Sequence, residues 1–183
     1  MRKRLFLATL TIAAAVALSA CGGSKSASKS GKILTIEEGP DVETIDPALN
    51  QSADGANYLT MISDNLLRLD KDGKIVPSLA EKYEVSDDGL TWTFHLRDGL
   101  KWSDGSAFSA NDFVYSWQRM VDPEVAAPYA ETMLGMVEGY KDAIGNPDAD
   151  GNTTTTPDIT KLKVEAPDDK TFVVHMSRPT PYF

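Results

Sequence analysis

The strictest alternation of apolar and polar residues in the chain lies between two Asp-Gly pairs, at 88–89 and 98–99. Large apolar side chains occupy every second position from Leu90 to Leu96, with polar ones between them. A period of two places these apolar groups on one face of a β-strand, and Asp-Gly pairs favour tight hairpin turns. The pattern therefore predicts an antiparallel meander with an apolar inner face, in which Val85 and Trp102 lie on the two flanking strands.

Apolar residues at helical spacing predict three helices. The first begins at an Asp54 N-cap and ends near Leu66, and its stripe facing the core is Tyr58, Met61, Ile62 and Leu66. The second begins with a capping box at residues 109–112, ends before the Asp-Pro pair at 122–123, and presents Phe113, Trp117 and Met120. The third covers 129–140, with Met133, Leu134, Met136 and Val137 inside.

Shorter strands complete the predicted secondary structure. A first strand covers residues 33–36, a hairpin joins 67–69 to 74–76, and a second hairpin joins 162–164 to 172–176. Residues 146–157 are Asn, Asp, Gly and Thr with two prolines and one alanine, which predicts a solvated loop. Strands and helices mixed in this order predict an α/β (mixed) fold.

The N-terminus has the composition of an export signal. Three basic residues precede an apolar run over 5–18, and Leu-Ser-Ala then leads to Cys21, so residues 1–20 are predicted to be a signal peptide. This ending resembles a bacterial lipoprotein box, which implies lipidation of Cys21 and anchoring to a membrane. The alternative is a buried or free cysteine. Residues 21–31 are mostly Gly, Ser, Lys and Ala and predict a flexible tether.

Charge and composition exclude several classes of function. The formal charge is −9, and all of the signal's charged residues are basic, so the rest of the chain is more acidic still. Such a surface argues against nucleic acid as a partner and against docking on anionic lipid. The two histidines, His95 and His175, lie far apart in the sequence, and no Gly-x-Ser-x-Gly motif is present. We therefore predict no enzyme activity, no cofactor and no metal site.

Several motifs together resemble one protein family. The run from Val85 to Gly105 and the run from Phe113 to Arg119 are similar to the bacterial extracellular solute-binding proteins of family 5, the oligopeptide, dipeptide and nickel type. The likeness extends from about residue 33 to the last residue. It implies the N-terminal lobe part of a two-lobed, periplasmic-binding-protein-like fold, with an antiparallel meander and packed helices.

The resemblance also implies a division of the chain. Residues 32–50 would be the first segment of the hinge-bearing lobe, 51–169 an inserted α/β subdomain, and 170–183 a return toward the first lobe. Members of the family continue for several hundred residues beyond the motif that ends at Phe183. The chain is therefore expected to be an N-terminal fragment.

Four ligand-binding residues follow from residue-by-residue matching to the family. Gln51, Ser52 and Ala53 would lay an extended backbone along a peptide ligand, and Tyr129 would lie near its N-terminal amine. From the residues alone, a connector leading into a helix is the favoured reading of 51–53. Tyr129 alone would be an ordinary half-buried tyrosine at a helix start.

The function implied is that of a lipid-anchored receptor on the extracellular or periplasmic side of the cell membrane. It would bind oligopeptides between two lobes that close by a hinge, and deliver them to an ABC permease that a separate ATPase subunit drives. One alternative is a dipeptide, nickel or haem receptor on the same scaffold. Another is an adhesion or signalling lipoprotein that kept the fold without transport.

Overall fold

The computed structural model of the chain describes residues 35–36 and 39–183. Contacts divide the chain into two units, Met1–Glu37 and Glu38–Phe183. Of the first unit only residues 35–36 are described, and they have no regular secondary structure. The predicted signal peptide, the tether, Cys21 and most of the predicted strand at 33–36 lie outside the described residues.

The second unit combines a four-stranded sheet with a small hairpin and short helices. A 3₁₀ turn at Ile159–Lys161 precedes the last two strands. In chain order the elements are α1 (Ala53–Ile62), β1 (Leu67–Leu69), β2 (Ile75–Pro77), β3 (Ala80–Val85), β4 (Thr91–Leu96), α2 (Ala110–Met120), α3 (Ala130–Leu134), α4 (Tyr140–Ile144), β5 (Val164–Asp168) and β6 (Thr171–His175).

Strand β4 lies inside an antiparallel sheet of order β3-β4-β6-β5. Its alternate side chains are buried, with Trp92 9%, Phe94 3% and Leu96 4% exposed. Opposite them on β6, Phe172 faces Phe94 and Val174 faces Trp92. The predicted alternation is therefore confirmed, and it supplies the centre of the apolar core.

The predicted meander is wrong in its third strand. The segment that contains Trp102 folds back on itself, since Lys101 bridges Ala107 and the Trp102 N–H donates to the Ser106 carbonyl at 3.0 Å. Trp102 stays 49% exposed. The neighbour of β4 is instead β6, about eighty positions later in the chain. The two hairpins, β1–β2 and β5–β6, are confirmed.

Helix α2 forms as predicted and covers the sheet. The Asp112 carboxylate caps its start by accepting the Ser109 N–H at 2.7 Å, as in a capping box. Phe113 and Trp117 pack on Phe172, with ring centroids 5.4 Å and 5.2 Å apart. These contacts pack the partly buried aromatic stripe against the core.

The first and third predicted helices are corrected by the structure. Helix α1 has Ser52 rather than Asp54 as its N-cap and ends at Ile62, short of Leu66. The predicted stripe is not buried, because Met61 is 53% and Ile62 63% exposed. A stripe at helical spacing shows that a helix is amphipathic, but not which face its neighbours cover.

The predicted helix at 129–140 is two short helices, α3 and α4, separated by residues 135–139. Gly139 has φ +78°, and a Cβ there would lie 1.9 Å from the Lys161 carbonyl oxygen. Only glycine fits this close approach, which is why one helix cannot run through it. Leu134 and Val137 are buried as predicted, but Met133 is 56% exposed.

The last strand bears on the predicted division of the chain. The boundary at 169 falls inside the β5–β6 hairpin, and β6 pairs with β4. The assignment of 170–183 to another lobe stays a prediction.

Residues 146–157 contain no helix or strand, as predicted, and hold one isolated bridge between Pro147 and Thr153. Within residues 35–36 and 39–183, no helix is both long and apolar enough to span a bilayer.

Candidate functional site

A cleft of about 510 Å³ lies beside α1. Its walls are α1, the segment that precedes the helix, and the start of α3. All four residues predicted to bind ligand line it together, although Tyr129 lies more than seventy positions after the other three in the sequence. The lining residues are Pro47, Asn50, Gln51, Ser52, Ala53, Ala56, Leu59, Thr60, Ser63, Asn65, Tyr129 and Met133.

The face of α1 toward the cleft is made mostly of small residues, together with Leu59. Ala53, Ala56, Thr60 and Ser63 recur at intervals of three and four, and so lie on one side of the helix. The apolar residues predicted to face the core lie on another side. Sequence reasoning missed this cleft face, and the available signal was the run of small side chains at helical spacing.

The segment before α1 is extended at Ser52, with φ −107° and ψ 148°. The Ser52 hydroxyl accepts a hydrogen bond from the Gly55 N–H at 2.9 Å, which caps the helix. The Gln51 N–H and C=O make no hydrogen bond within the described residues. The chain thus enters α1 with part of its backbone unpaired beside the cleft.

An ion pair fixes this segment to α2. Both nitrogens of the Arg119 fork donate to Asp46, at 3.0 Å and 2.6 Å, and the Asp46 carbonyl accepts from the N–H groups of Leu49 and Asn50. A bidentate pair of this kind restrains direction as well as distance. Its hydrogen bonds lower the pKa of the Asp46 carboxyl below the ordinary 3.8, against the opposing effect of burial.

Tyr129 stands on the opposite wall. It is the N-cap residue of α3, and its carbonyl accepts the Met133 N–H at 2.9 Å. The side chain is 45% exposed, and its hydroxyl makes no hydrogen bond within the part of the chain that is described. Tyr129 therefore starts a helix and also lines the cleft. Its contact with the amine of a peptide stays a prediction.

Of the residues that the structure describes, none with a formal charge lines the cleft. The described histidines lie elsewhere, on the polar face of the sheet, where His95 is 3.6 Å from Glu84 and His175 is 3.4 Å from Glu165. Among the described residues no three His, Cys, Asp or Glu side chains come together as a metal site. The cleft offers neutral hydrogen-bonding groups and small apolar surfaces.

Comparison with known proteins agrees with this geometry. The sequence profile of the bacterial extracellular solute-binding proteins, family 5, middle region, matches residues 74–183. The chain belongs to this family. Its members are solute-binding proteins rather than enzymes. The mixed α/β architecture with its antiparallel sheet is also that of the family's solved structures.

Individual relatives match most of the chain. The periplasmic oligopeptide-binding protein OppA of Haemophilus influenzae is 39% identical over 81% of the chain. The dipeptide-binding protein of Lactococcus lactis is 34% identical over 99%. The crystal structure of Haemophilus influenzae OppA in complex with RPPGFSPFR superposes with a TM-score of 0.70 at 39% identity over 79% of the chain.

The chain is much shorter than these proteins. It spans 26% of the Haemophilus relative, 30% of the Lactococcus relative and 27% of the chain in the crystal structure. The chain therefore corresponds to about a quarter to a third of the length of these relatives. All the residues that line the cleft described above lie within it.

Proposed function

We propose that the chain is the N-terminal part of a peptide receptor and that the cleft beside α1 is one wall of its ligand site. The observation that carries this proposal is that Gln51, Ser52, Ala53 and Tyr129 line one uncharged cleft. The relatives named as oligopeptide- and dipeptide-binding proteins support a peptide as the ligand.

The geometry suits a peptide backbone better than a particular side chain. An extended segment with unpaired N–H and C=O groups can add to an extended ligand as a strand does. The small residues on the facing side of α1 leave space beside that ligand. Since backbone groups are the same in every peptide, this wall would bind without selecting a sequence.

The charged ends of the peptide must then find partners elsewhere. The Tyr129 phenol can accept a hydrogen bond from an ammonium group, but none of the described residues that line this wall carries a carboxylate. We infer that the acidic group for the peptide's amine lies on a second lobe, outside this chain, and that the two lobes close on the ligand by a hinge. One open wall alone would leave the peptide solvated.

Calorimetric titration with a peptide pool tests this reading. The protein expressed from its complete gene should bind the pool, whereas residues 21–183 should show no micromolar binding. Tight binding by residues 21–183 would contradict the need for a second wall. No binding of any peptide by the complete protein would refute the peptide-receptor function. Titration with dipeptides alone separates a dipeptide receptor from an oligopeptide receptor.

We further propose that the receptor is exported, lipidated at Cys21 and anchored on the outer side of the cell membrane, where it delivers peptides to an ABC permease with a separate ATPase. The support is the sequence around Cys21 and the relatives' description as periplasmic. Cys21→Ser should release the protein into the soluble fraction, because a hydroxyl cannot form the lipid thioether. A variant that is still membrane-bound after signal cleavage would contradict the anchor.

A further inference from the structure

The Asn50 side chain is hydrogen-bonded to the backbone of Ser52, two positions later in the chain. Its Nδ2 donates to the Ser52 carbonyl oxygen at 3.0 Å, and its Oδ1 accepts from the Ser52 N–H at 3.3 Å. An amide that gives and receives in this way occupies one backbone edge as a neighbouring strand would. Asn50 therefore pairs Ser52 from within the chain.

These bonds leave Ser52 with no backbone group for a ligand. Its carbonyl also accepts the Ala56 N–H at 3.1 Å, so both lone pairs are used. The Gln51 N–H and C=O, by contrast, make no hydrogen bond within the described residues. In an extended chain, neighbouring residues turn these groups to opposite sides. Ser52 is turned to Asn50, so the alternation of an extended chain would turn the Gln51 groups away from Asn50.

We infer that Asn50 is a positioning residue, which holds Ser52 so that Gln51 presents its N–H and C=O to the backbone of a bound peptide. This inference rests on the proposed peptide-receptor function and sharpens it. Of the three residues predicted to contact the ligand, Ser52 acts in the cap and the fold of the segment, and Ala53 is the first residue of α1, so its carbonyl belongs to the helix. Gln51 is the one whose backbone N–H and C=O both lack a partner within the described residues.

Gly55 makes room for this arrangement. A Cβ at Gly55 would lie 1.9 Å from the Asn50 Oδ1 atom and 2.9 Å from the Ser52 hydroxyl. Gly55 has no positive φ, so its backbone alone does not require glycine. Alanine is favoured over glycine inside a helix. Glycine at this position makes α1 less stable than alanine would, and the space that the Asn50 amide occupies explains why glycine is present.

Binding by the complete protein tests the inference, with penta-alanine and its five mono-N-methylated forms as probes. Asn50→Ala should weaken penta-alanine binding about three- to tenfold, the usual net effect of losing one backbone hydrogen bond. Gly55→Ala should weaken it similarly although it favours the helix. The matched control is Asn152→Ala, which removes an amide bonded to Asp148 in the loop at 146–157 and should leave binding unchanged.

The N-methyl series separates positioning from general loss of stability. In the wild type, one N-methylated form should bind distinctly less well, because a methyl group replaces the N–H that pairs with Gln51. In Asn50→Ala this difference should shrink, since Gln51 is no longer held in place. An equal loss for all probes, or unchanged binding, overturns the positioning role of Asn50. If the wild type itself binds none of the probes or a peptide pool, the peptide-receptor function fails, and this inference fails with it.

Discussion

The sheet and the cleft wall are held together in different ways. In the sheet, Phe172 and Val174 are fully buried, and aromatic residues from β4, β6 and α2 pack around them. In the wall, α1 buries only Gly55, and the segment before it is fixed by polar contacts of Asp46 and Asn50. Burial of apolar area stabilises the sheet, whereas directional hydrogen bonds shape the wall.

This difference bears on how the protein works. Regions with few buried apolar contacts open at low free-energy cost, and binding segments are commonly drawn from them. We therefore expect changes in the apolar core of the sheet to reduce stability strongly and changes in the wall to reduce it less. Conversely, changes in the wall should reduce peptide affinity in the complete protein. The predictions below test this separation.

The largest effect is expected at Trp92. The residue is 9% exposed and lies between Tyr83 at 5.8 Å and Phe183 at 5.2 Å between ring centroids. Trp92→Ala should lower the free energy of unfolding by about 3–5 kcal/mol, because a large cavity forms in the core. Chemical denaturation measures it. As a control, Tyr115→Ala on α2 removes a ring that is 69% exposed and should change stability by about 0.5 kcal/mol or less.

Local pattern predicted the sheet better than it predicted the wall. The alternation from Leu90 to Leu96 indicates a strand with one buried face, and burial confirms it. The same pattern does not predict which strand pairs with β4. The partner is β6, far along the chain, and the segment with Trp102 folds back on itself instead of pairing with β4. Tertiary packing determines which strands pair, and the periodicity of a single strand contains no information about its partner.

The wall shows the opposite limit. Gln51 and Tyr129 were matched only through the family resemblance, and the structure shows that they line one cleft. The helix between them was assigned the wrong buried face, because Met61 and Ile62 suggest a core contact that the described residues do not provide. Asn50 was missed, since an asparagine before a helix has many ordinary uses in turns and caps.

A smaller effect on stability is expected at Arg119. Arg119→Met removes the bidentate pair and leaves the half-buried Asp46 carboxylate without its cation, which should cost about 1–2 kcal/mol in denaturation. Peptide affinity in the complete protein should also fall, because the turn before Gln51 loses its attachment to α2.

A matched ion pair on the sheet provides the control. Lys170 is paired with Asp98, and both side chains are more than half exposed. Lys170→Met should therefore cost less than about 0.5 kcal/mol and leave peptide affinity unchanged. If Lys170→Met were as costly as Arg119→Met, or if Arg119→Met left affinity intact, the wall would not depend on this pair.

The next effect concerns affinity rather than folding. Tyr129→Phe in the complete protein should weaken peptide binding by about 0.5–1.5 kcal/mol, the net value of one hydrogen bond. Stability should not change, because the hydroxyl has no partner within the described residues. Calorimetry and denaturation of the same two proteins separate these outcomes. A loss of stability without a loss of affinity would place Tyr129 in the fold rather than in the ligand site.

The smallest expected effect is the dependence of the Asp46–Arg119 pair on pH. The pKa of Asp46 is lowered below 3.8 in the folded protein, so the folded state holds this proton less tightly than the unfolded chain does. The stabilisation is complete above that ordinary value and disappears as the pH falls through the lowered one. The difference in unfolding free energy between wild type and Arg119→Met should thus be constant from pH 7 to about pH 5 and shrink toward pH 3 and below. Other aspartates with lowered pKa values, such as Asp88 and Asp168, are present in both proteins and cancel in this difference. A difference that grew toward acid would show that the carboxylate is not what Arg119 stabilises.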